Sequence, residues 1–297
     1  MKFRIESNGY HFYDRITGLH CLIDEIKPDC KLIYGPRTVS IAITNDCNAN
    51  CSFCHIPKGK LYLDKDFVTE ICKTLDKIGT FDVAIGGGEP LLHPEIVDIC
   101  KTVWNETKLG ISITTNGQLL TKDFIEKIKD SVSFIRVSLD SIDETCYKRI
   151  RNFNLDSVLN NISLINQKIP FGINMVVNSA TINGLDDMLE FSKNFGAEEL
   201  LILPLFIKGK FALTNSQWNV IEKWIIKNFE SFPIRILEQA RKKIKIPLLF
   251  TDDDYYKDYL YLSPDKQIRK NSYVKRGIRL NHKIIERQLL GFKNNFS

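Results

Sequence analysis

The chain has 297 residues, 43% hydrophobic and 26% charged. That suits one large α/β domain with extensions or two modest domains, and it excludes a disordered or fibrous chain. The net charge of +5 is too small for an obligate nucleic-acid binder. The excess is local. From Asp265 to Ser297 nine Lys/Arg stand against Asp265 and Glu286, a segment charge of +7 that leaves the first 264 residues at −2. Met1–Arg15 carries charges throughout, so no secretory signal is expected. The longest apolar run, Leu200–Ile207 with Pro204 inside it, is far too short to span a bilayer. The cytoplasm is the expected location, where eight cysteines argue against a disulfide scaffold.

In chain order, Tyr10–Tyr13 and Leu19–Ile26 flank the turn-like Asp14-Arg15-Ile16-Thr17-Gly18 and predict a β-hairpin, with Gly18 suited to positive φ. Pro36 closes this section. Thr38–Thr44 is a β-branched run and predicts a strand. Asp66–Ile78 places Phe67, Val68, Ile71, Cys72, Leu75 and Ile78 on one helical stripe. Strands over 81–85, 110–114, 133–139, 172–177 and 200–205 then alternate with helices over 94–104, 121–129, 155–167, 185–195 and 216–229. Past residue 230 the rhythm stops. An acidic and aromatic stretch, Asp252–Tyr256, precedes a strand–turn–strand over Tyr259–Arg269 and a basic, helix-like segment around Lys283–Leu290.

Six strands each followed by a helix imply a parallel sheet with right-handed crossovers. The six units need about 190 residues, fewer than the ~250 of a closed eight-fold barrel. The expected fold is an α/β partial (β/α)6 TIM-like barrel over 38–210, with an N-terminal β-hairpin extension over 1–37 and a small C-terminal extension over 211–297. Chemistry in such folds sits at the carboxyl ends of the strands, and the unusual residues of this sequence gather there.

Cys47-Asn48-Ala49-Asn50-Cys51-Ser52-Phe53-Cys54 has C-x3-C-x2-C spacing on a loop after the first barrel strand. Close thiolates are soft, anionic ligands suited to an iron–sulfur cluster. Three ligands for a four-iron cubane leave one iron without a protein ligand. A zinc site would want a fourth Cys or His, and His55 follows Cys54 too closely for easy tetrahedral geometry. The motif resembles the signature of the radical S-adenosylmethionine (SAM) superfamily, with Phe53 at the aromatic position before the third cysteine. Gly87-Gly88-Glu89-Pro90 after the second strand resembles that family's glycine–glycine–glutamate–proline motif. Thr115-Asn116-Gly117 after the third strand and Ser138-Leu139-Asp140 after the fourth also match. The resemblance covers roughly residues 38–207.

The resemblance implies a 4Fe–4S cluster on Cys47, Cys51 and Cys54, and SAM as the second cofactor. Glu89 would hydrogen-bond the methionine ammonium, with Gly87, Gly88 and Pro90 shaping the turn. Ser138 and Asp140 would contact the ribose or methionine end, or cap the next helix. Arg151 would pair with the SAM carboxylate or lie exposed, Asn178 would contact the ribose or serve a turn, and Thr115 and Asn116 line the same mouth. Cys72 and Cys100 on apolar helix faces, and Cys21 and Cys30 near the hairpin, read as structural. Cys146 is a candidate hydrogen-atom donor or a plain helix cysteine.

The segment Leu260–Lys266 resembles the hairpin of the SPASM extension found in peptide-modifying members, without its cysteines. No cysteine follows Cys146, so a single cluster is expected. A ribosomally made peptide is the first substrate expectation and a small molecule or nucleotide the alternative. A non-catalytic iron–sulfur protein would have no need of Glu89. An external electron donor such as flavodoxin or ferredoxin is implied. The hairpin either pairs with a peptide through its strand edge or caps the bottom of the barrel, and the basic tail either binds an anionic partner or is a solvated surface.

Overall fold

The computed structural model describes residues 1–6, 9–24, 26, 34–206, 209–237, 239–240, 243–245 and 259–291. Cys30, Asp252–Tyr256 and Lys293 lie outside these described residues.

The chain begins with β1 (Lys2–Glu6), β2 (Gly9–Tyr13) and β3 (His20–Ile23), then enters the barrel at β4 (Thr38–Thr44). Next come α1 (Lys65–Lys77), β5 (Asp82–Gly87), α2 (Ile96–Glu106), β6 (Gly110–Thr115), α3 (Lys122–Ile128) and β7 (Phe134–Ser138). They are followed by α4 (Glu144–Arg151), α5 (Leu155–Ile165), β8 (Phe171–Val177), α6 (Leu185–Asn194), β9 (Glu199–Pro204) and α7 (Asn215–Asn228). The chain ends with β10 (Ile234–Ile236), β11 (Tyr259–Leu262), β12 (Gln267–Arg269), β13 (Ile278–Arg279) and α8 (Ile285–Leu290).

The six predicted barrel strands, β4 to β9, lie side by side in sequence order, each parallel to the next. Their β-branched runs explain why. Val39, Ile41 and Ile43, Val83 and Ile85, Ile111 and Ile113, and Ile135 and Val137 are fully buried. Each side chain so removed from water contributes about 1.5–3 kcal/mol. The alternate positions Ser40, Ala84, Ser112 and Thr114 are small and partly exposed, so they face the lumen. The helices cover the other face, and their starts obey local rules. Asp64 caps α1 by accepting from the Phe67 N–H, and Thr121 caps α3 by accepting from the Phe124 N–H at 3.1 Å.

The sheet is larger than expected at both edges. β10 adds a further parallel strand beside β9, so the rhythm runs past residue 230. On the other side β11 pairs parallel to β4, and β12 and β13 continue antiparallel from it. The strand–turn–strand predicted over Tyr259–Arg269 therefore extends the barrel sheet. Helix α8 buries Ile285 and Leu289, and Lys77 of α1 meets Glu286 at 2.6 Å. Part of the basic tail is thus packed.

At the start of the chain the predicted hairpin gains a strand, giving the antiparallel sheet β1-β2-β3. It lies under the barrel. The rings of His11, Tyr13 and His20 gather around Phe81 at 4.8, 5.4 and 5.9 Å, just before β5. Arg15 donates to the carbonyls of Trp104 and Thr107 at 2.9 and 2.7 Å. These contacts lie at the amino ends of the strands, so the sheet caps the end opposite the chemistry. A Cβ on Gly110 would stand 1.9 Å from Tyr13 Oη. Gly110→Ala should therefore overpack this seam and lower stability by about 1–3 kcal/mol, partly relieved by Tyr13→Phe. Urea titration of the three variants checks this, and an unchanged midpoint for Gly110→Ala would contradict it.

Candidate functional site

The cysteine loop leaves the top of β4. Its neck is closed by an antiparallel bridge between Thr44 and Tyr62 and by the Leu61 N–H donating to Asn45 Oδ1 at 2.9 Å. Within it Cys47 and Cys51 are half-buried and Cys54 is exposed, all as free thiols. Burial raises the pKa of the Cys47 and Cys51 thiols. The Ala49 N–H opposes this at Cys47 and the Arg151 charge opposes it at Cys51. The loop also leans on α4, where the Ser52 N–H donates to the Ile150 carbonyl at 3.0 Å.

The glycine motif packs against the root of this loop. The Gly88 N–H donates to the Thr44 carbonyl at 2.8 Å and the Glu89 N–H to the Asp46 carbonyl at 2.7 Å. A Cβ on Gly87, at φ +127°, would stand 2.1 Å from the Thr44 oxygen, and one on Gly88 2.1 Å from the Asp46 oxygen. Both glycines are therefore required for chain to approach chain, a closer demand than the approach to a ligand expected from sequence.

Glu89 is fully buried. Its Oε1 accepts from Thr115 Oγ1 at 2.7 Å and the Leu91 N–H at 3.1 Å, and its Oε2 accepts from the Asn116 N–H at 2.7 Å. Pro90 opens the single 3-10 turn that Glu89 caps. Burial pushes the Glu89 carboxyl up to about 7 against the pull of these donors. Asn116 Nδ2 donates to Asn48 Oδ1 at 2.8 Å. A continuous chain thus runs from the cysteine loop through Asn48 and Asn116 to the buried carboxylate. Asn48 was not singled out in the sequence, because the variable positions of a C-x3-C spacing carry no signal of their own.

Asp140 and Arg151 come together. Arg151 Nε donates to Asp140 Oδ2 at 2.7 Å and Nη2 to Oδ1 at 3.0 Å, and both residues are buried. Asp140 Oδ1 also accepts from the Val176 N–H at 2.9 Å. The pair expected to reach a ligand separately, or to cap and lie exposed, is instead a brace joining β7, α4 and β8. The cap of α4 is Asp143, which accepts from the Cys146 N–H at 2.7 Å. The Arg151 guanidinium lies 5.6 Å from the Phe53 ring centre, so the brace touches the cysteine loop. Ser138 is half-buried at the end of β7, beside Asn174 of β8.

Asn178 is fully buried. Its Oδ1 accepts from the Ala180 N–H at 2.8 Å, while its Nδ2 has no partner. Tyr147 Oη and Asn174 Oδ1 are likewise buried without a partner. Cys146 is not brought to this mouth. Its Sγ lies 3.4 Å from the Ala180 carbonyl, in a cleft lined by Ser141, Asp143, Thr181 and Asp187. Cys72 and Cys100 are buried in the helix layer, where burial raises their thiols, and Cys21 is exposed on β3.

Among the described residues no group of three or more His, Cys, Asp and Glu is placed to hold one metal ion. Three soft thiols on one loop suit a polynuclear iron–sulfur group instead. Linked to their loop through Asn48 and Asn116 lies a buried carboxylate with acceptor capacity to spare, as an ammonium requires, and after β8 the Asn178 amide is a buried donor of the kind a sugar hydroxyl accepts from.

Comparison with known proteins agrees with this chemistry. The radical SAM superfamily model matches residues 41–192. The probable GTP 3′,8-cyclase of Methanocaldococcus jannaschii is 33% identical over 217 residues, covering 70% of this chain and 72% of that protein. The corresponding protein of Methanococcus aeolicus is 34% identical over 218 residues, covering 70% and 72%. SuiB from Streptococcus suis bound to S-adenosylmethionine shares the fold at TM-score 0.79 and 13% identity, over 99% of this chain and 89% of that one. The structure of anSMEcpe with bound AdoMet shares it at TM-score 0.67 and 16% identity, over 88% and 82%. With its three-thiol loop, its buried motif glutamate and these relatives, the chain belongs to the radical SAM superfamily, whose cofactors are a 4Fe–4S cluster and S-adenosylmethionine.

Proposed function

We propose that this radical SAM enzyme acts on a small molecule of the nucleotide class. The substrate reading rests on relatives named GTP 3′,8-cyclases, which match about 70% of this chain at 33–34% identity. The two features that suggested a peptide have structural employment. The N-terminal strands cap the barrel, and the strand–turn–strand extends its sheet. The lumen wall of β4 to β6 carries the small side chain of Ala84 and the hydroxyl groups of Ser40, Ser112 and Thr114, which suit a polar substrate.

The observation that carries the catalytic reading is the chain from the cysteine loop through Asn48 and Asn116 to Glu89. When bound, the cluster and SAM supply a 5′-deoxyadenosyl radical that takes a hydrogen atom from the substrate. Cys47, Cys51 and Cys54 hold the cluster. Glu89 offers its remaining acceptor site to the methionine ammonium, and Thr115 and Asn116 fix its orientation. Gly87, Gly88 and Pro90 set the height of the turn. The unpartnered Asn178 amide donates to a ribose hydroxyl, and Ser138, beside Asn174, lines the same end of the sheet. Asp140 and Arg151 position the loop through Phe53. An external one-electron donor is required.

Glu89→Gln should retain the cluster and weaken SAM binding ten- to hundred-fold, since a charge-assisted bond is worth about 1.5–3 kcal/mol. Equilibrium binding of SAM to the reconstituted variant checks this, and unchanged affinity would contradict it. For the substrate class, ribose-deuterated GTP and the other deuterated ribonucleoside triphosphates are offered with SAM and reductant. Deuterium in 5′-deoxyadenosine supports the proposal. Its absence with every nucleotide, together with transfer from a labelled peptide, would overturn it.

A further inference from the structure

Helix α4 turns one face inward, carrying Tyr147, Ile150 and Arg151. That face meets the cysteine loop. The Ile150 carbonyl accepts from the N–H of Ser52, the residue after Cys51, at 3.0 Å, and the Arg151 guanidinium lies 5.6 Å from the Phe53 ring centre. Tyr147 stands one turn before Arg151, so the two side chains share the face. The Tyr147 side chain is fully buried, and its Oη has no hydrogen-bond partner. A buried hydroxyl in that state has lost its bonds to water and gained nothing in return. The charged groups around it are engaged with others. Asp140 and Arg151 hold one another, Asp140 Oδ1 also accepts from the Val176 N–H, and Glu144 Oε2 accepts from the Leu155 N–H. Burial pushes the Tyr147 phenol up to about 12, with Arg151 opposing the rise and Asp140, Cys51 and Glu144 adding to it. Of these neighbours Cys51 is the sulfur ligand, and sulfurs of an iron–sulfur group accept hydrogen bonds. The first thiol already shows the pattern: Cys47 Sγ accepts from the Ala49 N–H at 3.4 Å.

We propose that Tyr147 Oη donates a hydrogen bond to a sulfur at the Cys51 corner of the cluster and so raises the cluster's reduction potential. The inference rests on the cluster assignment of Cys47, Cys51 and Cys54, and it is independent of the substrate class. Packing does not account for the hydroxyl, because a phenylalanine would fill the same space without stranding a polar atom. Reduction adds negative charge that the sulfurs share. A donor aimed at one of them therefore favours the reduced state over the oxidised one. The phenol keeps its proton at neutral pH, so the bond is available in both states. Asn178 and Asn174, the other residues at the mouth with a buried unpartnered atom, belong to β8 and the loop that follows it, whereas Tyr147 belongs to the helix that braces the cysteine loop.

The test compares wild type with Tyr147→Phe, both reconstituted with iron and sulfide. Iron content should match. Potentiometric titration of the cluster should place the variant at a more negative potential, with the equilibrium constant for reduction lowered about two- to ten-fold. Electron–nuclear double resonance on the reduced cluster in deuterated buffer should show one exchangeable coupling fewer in the variant. Urea titration reads the same bond from the other side. Without iron the variant should be the more stable protein, since it drops an unpartnered hydroxyl. With the cluster bound, that advantage should shrink or reverse. An unmoved potential in an iron-replete variant would overturn the proposal, as would an unchanged set of exchangeable couplings. So would an equal gain in stability with and without iron, or an equal loss in both forms, which would give the hydroxyl a partner within the protein. Iron retained by the variant lacking all three loop cysteines would remove the cluster assignment and this inference together.

Discussion

Arg151→Ala will lower stability by about 3–5 kcal/mol, the largest effect expected of any single substitution at the barrel mouth. The reason is the state it leaves behind. Asp140 is fully buried and its carboxylate is held by two guanidinium nitrogens and the Val176 N–H. Removing the cation strands a buried charge, and breaking such a pair costs far more than the pair contributes against an apolar replacement. For a domain stable by about 5–15 kcal/mol the loss is a large fraction. The double variant Asp140→Asn/Arg151→Met should recover part of it. Both charges leave together, and the amide oxygen of the introduced asparagine can still accept from the Val176 N–H. Chemical denaturation of the wild type, Asp140→Asn, Arg151→Met and the double variant checks this cycle. A double variant less stable than the sum of the singles would contradict it.

Replacing Cys47, Cys51 and Cys54 together by alanine will remove the iron. Reconstituted wild type should carry about four irons per chain, since three thiolates complete one cubane's protein ligands. The triple variant should carry almost none and lose the brown chromophore. The other cysteines are expected to be silent. Cys72 and Cys100 are sealed in the helix layer, and the Cys146 thiol faces Ala180. Replacing Cys21, Cys72, Cys100 and Cys146 should leave iron content where it was. Iron near eight per chain in the wild type would contradict a single cluster.

The barrel strands were legible because one residue in two along them is a buried apolar side chain, mostly Ile, Val or Leu, a pattern that requires a covered sheet. β1 was not legible, because its alternation is inverted. Arg4 is buried at 1% exposure and bonded into the seam, while Phe3 is 58% exposed. A charged residue pointing inward defeats any reading that sends apolar residues to the core. β10 is three residues long, and its Ile-Arg-Ile alternation is too short to stand out from the surrounding sequence. β11 was legible as a strand but not as a neighbour of β4, since periodicity states which face is buried and says nothing about which distant strand is adjacent.

The site divides in the same way. The cysteines could be picked from their spacing, and Gly87–Pro90 and Asn116 from their resemblance to the family's motifs at strand ends. Their partnerships could not. Asp140 and Arg151 are eleven residues apart and each was given a ligand of its own, whereas the geometry of α4 turns them toward one another. Cys146 follows the β7 motif closely in sequence, yet the first turn of α4 carries it into the cleft beside Ala180. Asn48 joins the two motifs only because the loop folds back over β6.

The central claim is that the mouth formed by Cys47, Cys51, Cys54 and Glu89 breaks SAM reductively. It is tested most directly by mass spectrometry for 5′-deoxyadenosine after anaerobic reconstitution with SAM and dithionite. Wild type should produce it, Glu89→Gln should produce less at limiting SAM, and the triple cysteine variant should produce none. No 5′-deoxyadenosine from an iron-replete wild type, or equal amounts from the triple variant, would contradict the claim.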